Sequence, residues 1–189
     1  KQHKEKILTQ SSIHKTAPSI RVTKDGQTHD IVRFQYKLII EKSSSLESFI
    51  KHIASELSSI SQKTQWEFCG FVSFHPHRKE YAIEVTTTKS SLFCLPTSYQ
   101  KDGFSSTNAM VHTHPPQKVV TATELEKWVI GSSSSLIWLE PEGLSPQDLQ
   151  HPNTWLITPN NDILHALPSI PSHSHLEMGF LCPFKDLLL

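Results

Sequence analysis

The sequence predicts an α+β domain with a central mixed β-sheet flanked by helices. Three observations carry this reading. Short β-branched and aromatic runs are bounded by turn residues. One long apolar set recurs at helical three- and four-residue steps between two of those runs. A second, shorter helical pattern follows further along, so sheet and helices must share one core.

In order, residues 1–29 are polar and read as a tail or linker, with Asp25-Gly26 as a candidate hairpin tip. The stretch IVRFQYKLII, from Ile31 to Ile40, reads as a strand. Serines 43–45 then offer N-caps to an amphipathic helix whose apolar face is Leu46, Phe49, Ile50, Ile53 and Leu57. WEFCGFVSF, from Trp66 to Phe74, reads as a buried strand, and Tyr81 to Thr88 as its neighbour across a turn. Leu92 to Leu95 is a further short strand candidate. Ser105 to Asn108 reads as loop, and Ala109 to Val111 leads into His112. Thr121 or Thr123 can cap a second helix that runs through Trp128 and Ile130 and stops at Gly131. Leu136 to Leu139 is strand-like. Trp155 to Thr158 and Ile163 to Leu167 flank a Pro-Asn-Asn-Asp turn and form a hairpin. Residues 30–168 thus form one domain, and 169–189 an irregular tail holding Pro171 and Pro183.

Composition narrows the function classes. The 189 residues carry 18 Lys+Arg against 18 Asp+Glu, so no basic excess points to nucleic acid or an anionic membrane. No apolar run approaches the roughly 20 residues needed to cross a bilayer, and residues 1–6 are too charged for a secretory core segment. The three cysteines, Cys69, Cys94 and Cys182, cannot all pair and show no CxxC spacing. That argues against a disulfide scaffold or a thiolate zinc site and makes a reducing cytoplasm the default. Histidine is the unusual count, at 12, and prompts a search for imidazole ligands.

The sharpest local signal is Val111-His112-Thr113-His114-Pro115. Histidines at i and i+2 on a strand point the same way, so both imidazoles can reach one metal. Pro115, with no N–H to give a ladder, ends the strand. A bare His-x-His is more often two unrelated histidines beside a turn. His173-Ser174-His175, in the proline-flanked tail, reads that way. The first pair is raised by its setting. Glu67 stands inside an apolar run, where a carboxylate is costly unless it is paired or serves a metal or a proton. Downstream, Thr121-Ala122-Thr123-Glu124 places hydroxyls and an acid where a helix begins.

Together, Glu67-x-x-Gly70 after a helix and His112-Thr113-His114-Pro115 some forty residues on resemble the JAB/MPN/JAMM metalloprotease family. The resemblance covers roughly residues 31–167 and implies an MPN/JAB-like sheet, a Zn²⁺ cofactor and peptidase or isopeptidase activity. It further implies a protein substrate, among which the C-termini of ubiquitin and ubiquitin-like conjugates are typical. His112 and His114 would be ligands and Glu67 the general base. The family's third ligand is an Asp in Ser-x-x-Asp, and here two acids compete. Glu124 lies one residue short of the family spacing, with Thr121 in the serine's place. Asp148 sits in a faithful Ser145-Pro146-Gln147-Asp148, but much further along, and Pro152 leaves no room for a following helix. Using Asp148 requires the intervening helix and strand to be looped out, so loop length favours Glu124.

Two other classes compete. A zinc nucleobase deaminase needs a later Pro-Cys-x-x-Cys, which this chain lacks. A degenerate MPN-type domain without metal, serving as a scaffold, is supported by the off-pattern third ligand.

Overall fold

A computed structural model describes residues 13–15 and 19–167. The polar segment 1–12, the tail from 168 onward, the pair His173 and His175, and Cys182 lie outside the described residues.

The strands are β1 (His14–Lys15), β2 (Ile20–Lys24), β3 (Gln27–Ile31), β4 (Phe34–Lys42), β5 (Cys69–His75), β6 (Glu80–Thr87), β7 (Ser105–Thr113), β8 (Val119–Thr121), β9 (Leu136–Trp138), β10 (Thr154–Ile157) and β11 (Ile163–Ala166). The helices are α1 (Leu46–Thr64) and α2 (Glu124–Ile130). Seven strands form one sheet in the order β1-β4-β6-β5-β7-β10-β11. It is mixed: β7 and β10 are parallel, and its other neighbours antiparallel. The domain is therefore α+β with a central mixed sheet and two helices.

Helix α1 forms where the apolar period required it. Ser45 caps its start by accepting a hydrogen bond from the Ser48 amide, satisfying one of the amides left free in a first turn. Its buried face, Phe49, Ile50, Ile53, Ala54, Leu57 and Ile60, packs on Val72, Ile83, Val85, Val111 and Ile157 of the sheet. Gln65, in the left-handed conformation, ends it. The chain then enters β5, where Gly70 has a steric reason to be glycine. A Cβ there would stand 2.7 Å from the Glu84 carbonyl oxygen and from Ile83 Cγ1.

Local expectations fail at three places. The single strand read over residues 31–40 is split, with β3 ending at Ile31 and β4 starting at Phe34. Ser105 to Asn108 belongs to β7 rather than to a loop. Leu92 to Leu95 forms no strand. Residues 93–95 are buried nonetheless, because Phe93 and Leu95 join Val22, Ile31 and Val129 in a second core. That core places hairpin β2–β3, whose tip is Asp25-Gly26, against α2. Cys69 and Cys94 are joined as a disulfide, against the expectation of no disulfide scaffold. Spacing along the chain says nothing about two cysteines brought together by a hairpin.

No helix among the described residues is long and apolar enough to cross a membrane.

Candidate metal centre

Strand β7 carries the buried His112 near its end, and His114 follows just past the strand, where it lines a cleft. Their ring centroids are 5.1 Å apart. Thr113 between them faces the other way and is fully buried. Its amide donates to the Phe68 carbonyl at 2.9 Å, and its hydroxyl accepts from the Phe68 amide at 3.0 Å. The central residue of the motif thus locks the histidine strand to the residue beside Glu67.

Glu67 itself precedes β5. Its amide donates to the Ser90 carbonyl at 2.8 Å, and its carbonyl accepts from the Thr87 hydroxyl at 2.7 Å. With its backbone held on both sides, the carboxylate is buried with Oε1 3.9 Å from His114 Nε2. Burial pushes the carboxyl up to about 8; the nearby His114 opposes this shift and Asp148 adds to it.

Asp148 completes the cluster. Its Oδ1 lies 3.1 Å from His112 Nε2 and its Oδ2 3.3 Å from His114 Nε2. The residue opens a short 3-10 turn, Asp148–Gln150, cut off before Pro152. Ser145 holds it reciprocally. The Ser145 amide donates to Asp148 Oδ2 at 2.8 Å, and the Asp148 amide donates to Ser145 Oγ at 3.1 Å. The Thr154 hydroxyl, at the start of β10, donates to the Asp148 carbonyl. Burial alone would raise the Asp148 carboxyl, but the charge of His112 and polar contacts from both histidines override it. The group is held well below the usual carboxylate range.

His112, His114 and Asp148 form a buried group whose ligand atoms all lie within 4.8 Å of one another, and it could hold a metal ion. The donor set fits. Two imidazoles and one carboxylate are the three-ligand type that leaves a coordination position open. In addition, both ring nitrogens of His112 are buried without a well-directed hydrogen bond, despite the short approach of Asp148. An orphaned buried imidazole is costly unless something else binds it.

Glu124 is not part of this group, which corrects the preference for it. Its side chain is 91% exposed and pairs with Lys127 on the surface of α2. The cap of that helix is Thr123, whose hydroxyl accepts from the Glu126 amide while Glu126 accepts from the Thr123 amide. Thr121 lies exposed in β8, paired with Leu136, and does not line the cleft; Ser145 does. The loop-out that Asp148 requires is what the chain does. Between the parallel strands β7 and β10 it leaves the sheet to build ribbon β8–β9 and helix α2, then returns to the site.

The cleft, about 440 Å³, is lined by the polar Glu67, His114 and Asp148 and by the apolar Leu92, Ile130 and Leu139. Sequence reading missed the apolar lining, because its residues come from a loop, a helix end and the chain just after β9, with no shared motif. His151 was missed as well. It is buried against Phe71. Burial lowers its pKa, with His112 adding to the effect and a hydrogen bond at Asn153 opposing it.

No protein-family model, curated protein or solved structure matches this chain.

Proposed function

We propose that this protein is a zinc-dependent peptidase or isopeptidase of the kind that its Glu-x-x-Gly and His-Thr-His-Pro motifs resemble. One observation carries the proposal: a buried carboxylate with a raised pKa, Glu67, stands beside a buried His-His-Asp group at the foot of an open cleft. Structural carboxylates are rarely kept in such a place without chemical work.

His112, His114 and Asp148 would hold the ion. When bound, zinc supplies Lewis-acid polarisation of the scissile carbonyl and lowers the pKa of a water toward 7. Glu67 takes the proton of the attacking water and returns it to the leaving amine, a role for which its carboxylate, 3.9 Å from His114 Nε2, is placed. Ser145 Oγ already accepts from the Asp148 amide, so its own proton is free to point into the cleft. There it stabilises the oxyanion that forms when water adds to the carbonyl. Apolar Leu92, Ile130 and Leu139 wall the substrate from solvent, and the cleft accepts an extended polypeptide, including the C-terminal tail of a ubiquitin-like conjugate.

The test combines elemental analysis with hydrolysis. Purified protein should carry one equivalent of zinc and cleave members of a panel of peptides and Lys-linked isopeptides, and His112→Ala should lose both properties. A wild-type protein that takes up no zinc under saturating conditions would turn the reading toward a metal-free scaffold.

A further inference from the structure

We propose that the Cys69–Cys94 disulfide is a redox-controlled clasp that joins the two walls of the cleft; its effect on turnover, though not its effect on structure, rests on the peptidase reading above.

The domain has two cores. The first lies between α1 and the sheet and includes Phe68, Val72 and Val111, so it carries Glu67, His112 and His114. The second gathers hairpin β2–β3, α2 and the segment 88–98 through Val22, Ile31, Phe93, Leu95 and Val129. The cleft lies where they meet. Glu67 and His114 belong to the first side, while Leu92 and Ile130 belong to the second. Segment 88–98 is the seam. Phe93 and Leu95 point into the second core, and Cys94 between them points the other way, as alternation in an extended segment dictates. It meets Cys69 at a Cα separation of 6.1 Å.

Cys69 is directly opposite His112 in the β5–β7 ladder and lies two residues beyond Glu67. The bond therefore ties segment 88–98 to the strand pair that carries the base and the first histidine. Around it, the seam depends on scattered polar contacts. The Glu67 amide donates to Ser90, the Phe71 amide to Thr97, the Thr86 hydroxyl to Leu95 and the Thr88 hydroxyl to Phe93. The Ser90 hydroxyl in turn donates to Glu126, the residue that closes the capping box of α2. A hydrogen-bonded chain thus runs from Glu67 through Ser90 and Glu126 to the start of α2, and beside it the disulfide ties segment 88–98 covalently to β5.

Opening the clasp takes two electrons and two protons. A dithiol donor supplies both: the Cys69–Cys94 S–S bond breaks, each sulfur becomes a thiol, and the donor's two sulfurs join as its own disulfide. Both cysteines are only 1–2% exposed, so the donor reaches them after segment 88–98 has lifted, and reduction is slow in the native state. Once reduced, the segment retains its hydrogen bonds and Phe93 and Leu95 contacts but loses its tether. Leu92 and the Glu67 backbone then gain freedom, while the ligands stay in place, His112 on β7, His114 just past its end and Asp148 on the turn that precedes β10.

The experiment compares oxidised protein, protein reduced with dithiothreitol, and Cys69→Ser/Cys94→Ser. It measures amide hydrogen exchange over residues 66–98, zinc content, and turnover of the best peptide. Alkylation in denaturant should find neither Cys69 nor Cys94 free in the oxidised protein. In the reduced and doubly substituted proteins, exchange of segment 88–98 and of the Glu67 amide should quicken at least tenfold. Zinc should stay near one equivalent, and turnover should fall about tenfold through kcat. Should the double variant not fold, the reduced wild type, reoxidised as a reversibility control, carries the same comparison. Two free thiols at these positions, or unchanged exchange after reduction, overturns the clasp. Quicker exchange with unchanged turnover overturns its control of the cleft. A wild-type protein without hydrolytic activity defeats the peptidase reading instead, and the exchange comparison still decides whether the clasp exists.

Discussion

Asp148 Oδ1 lies 3.1 Å from His112 Nε2, although a helix and a two-stranded ribbon separate the two residues along the chain. The approach is held from three sides: by the Ser145 amide, by the Ser145 hydroxyl oxygen and by the Thr154 hydroxyl. A carboxylate fixed this firmly between two imidazoles makes the ligand assignment directly testable.

Asp148→Ala should weaken zinc binding severely, by two orders of magnitude or more, and His114→Ala should abolish stoichiometric uptake. Glu124→Ala should leave affinity within a few-fold of the parent, because its side chain is 91% exposed and pairs only with Lys127. Its effect on stability should stay within about 0.5 kcal/mol, as for other exposed helix pairs. Competition titration with a chromogenic chelator reads all three; a large loss in Glu124→Ala alone would reverse the assignment.

Glu67→Gln should retain zinc and fold and lose about 10²–10⁴-fold in kcat, the usual contribution of a positioned general base. An amide of the same shape cannot take the proton. Turnover within a few-fold of wild type would remove Glu67 from the chemistry.

The same residue makes a prediction for the metal-free protein. Its carboxyl rises from 4.5 to about 8 on folding, so between those values the folded state binds the proton more tightly than the unfolded chain does. Stability therefore falls as pH rises through this window. Glu67→Gln, which has no charge to bury, should gain on wild type steadily between pH 5 and pH 8. Thermal melts of both apo-proteins across that range check the sign; a constant difference in midpoint would count against a buried, titrating Glu67.

Thr113→Val removes the hydroxyl that accepts from the Phe68 amide. The buried N–H then has no partner, at a cost of about 1–3 kcal/mol. Since Phe68 adjoins Glu67, turnover should fall with stability, while Thr113→Ser should restore both. Denaturant melts beside kinetics separate this from a purely structural effect: rescue of stability without rescue of turnover would break the link to Glu67.

Ser145→Ala should keep zinc within about tenfold, because the Ser145 amide still donates to Asp148. Its kcat should fall by about 10²–10³, as on loss of one oxyanion donor, with KM little changed. A fall seen only in zinc affinity would restrict Ser145 to holding Asp148.

Much of this protein is legible in one dimension. Helix α1 is written in the spacing of Phe49, Ile50, Ile53 and Leu57, and hairpin β2–β3 in Asp25-Gly26. The shared side of His112 and His114 follows from the two-residue period of a strand. These features depend on neighbours within a few positions, where backbone geometry is nearly the same in every fold. The choice between Glu124 and Asp148 has no such local basis. Counting residues favoured the nearer acid, but the parallel pairing of β7 with β10 brings the return of a long excursion beside His112 and leaves Glu124 in solvent. The Cys69–Cys94 bond and the apolar lining of the cleft arise in the same way. They join segments whose only common property is where the sheet and the second core place them, and closing such long loops adds little entropy per extra residue. Sequence distance is therefore a weak guide to which side chains meet.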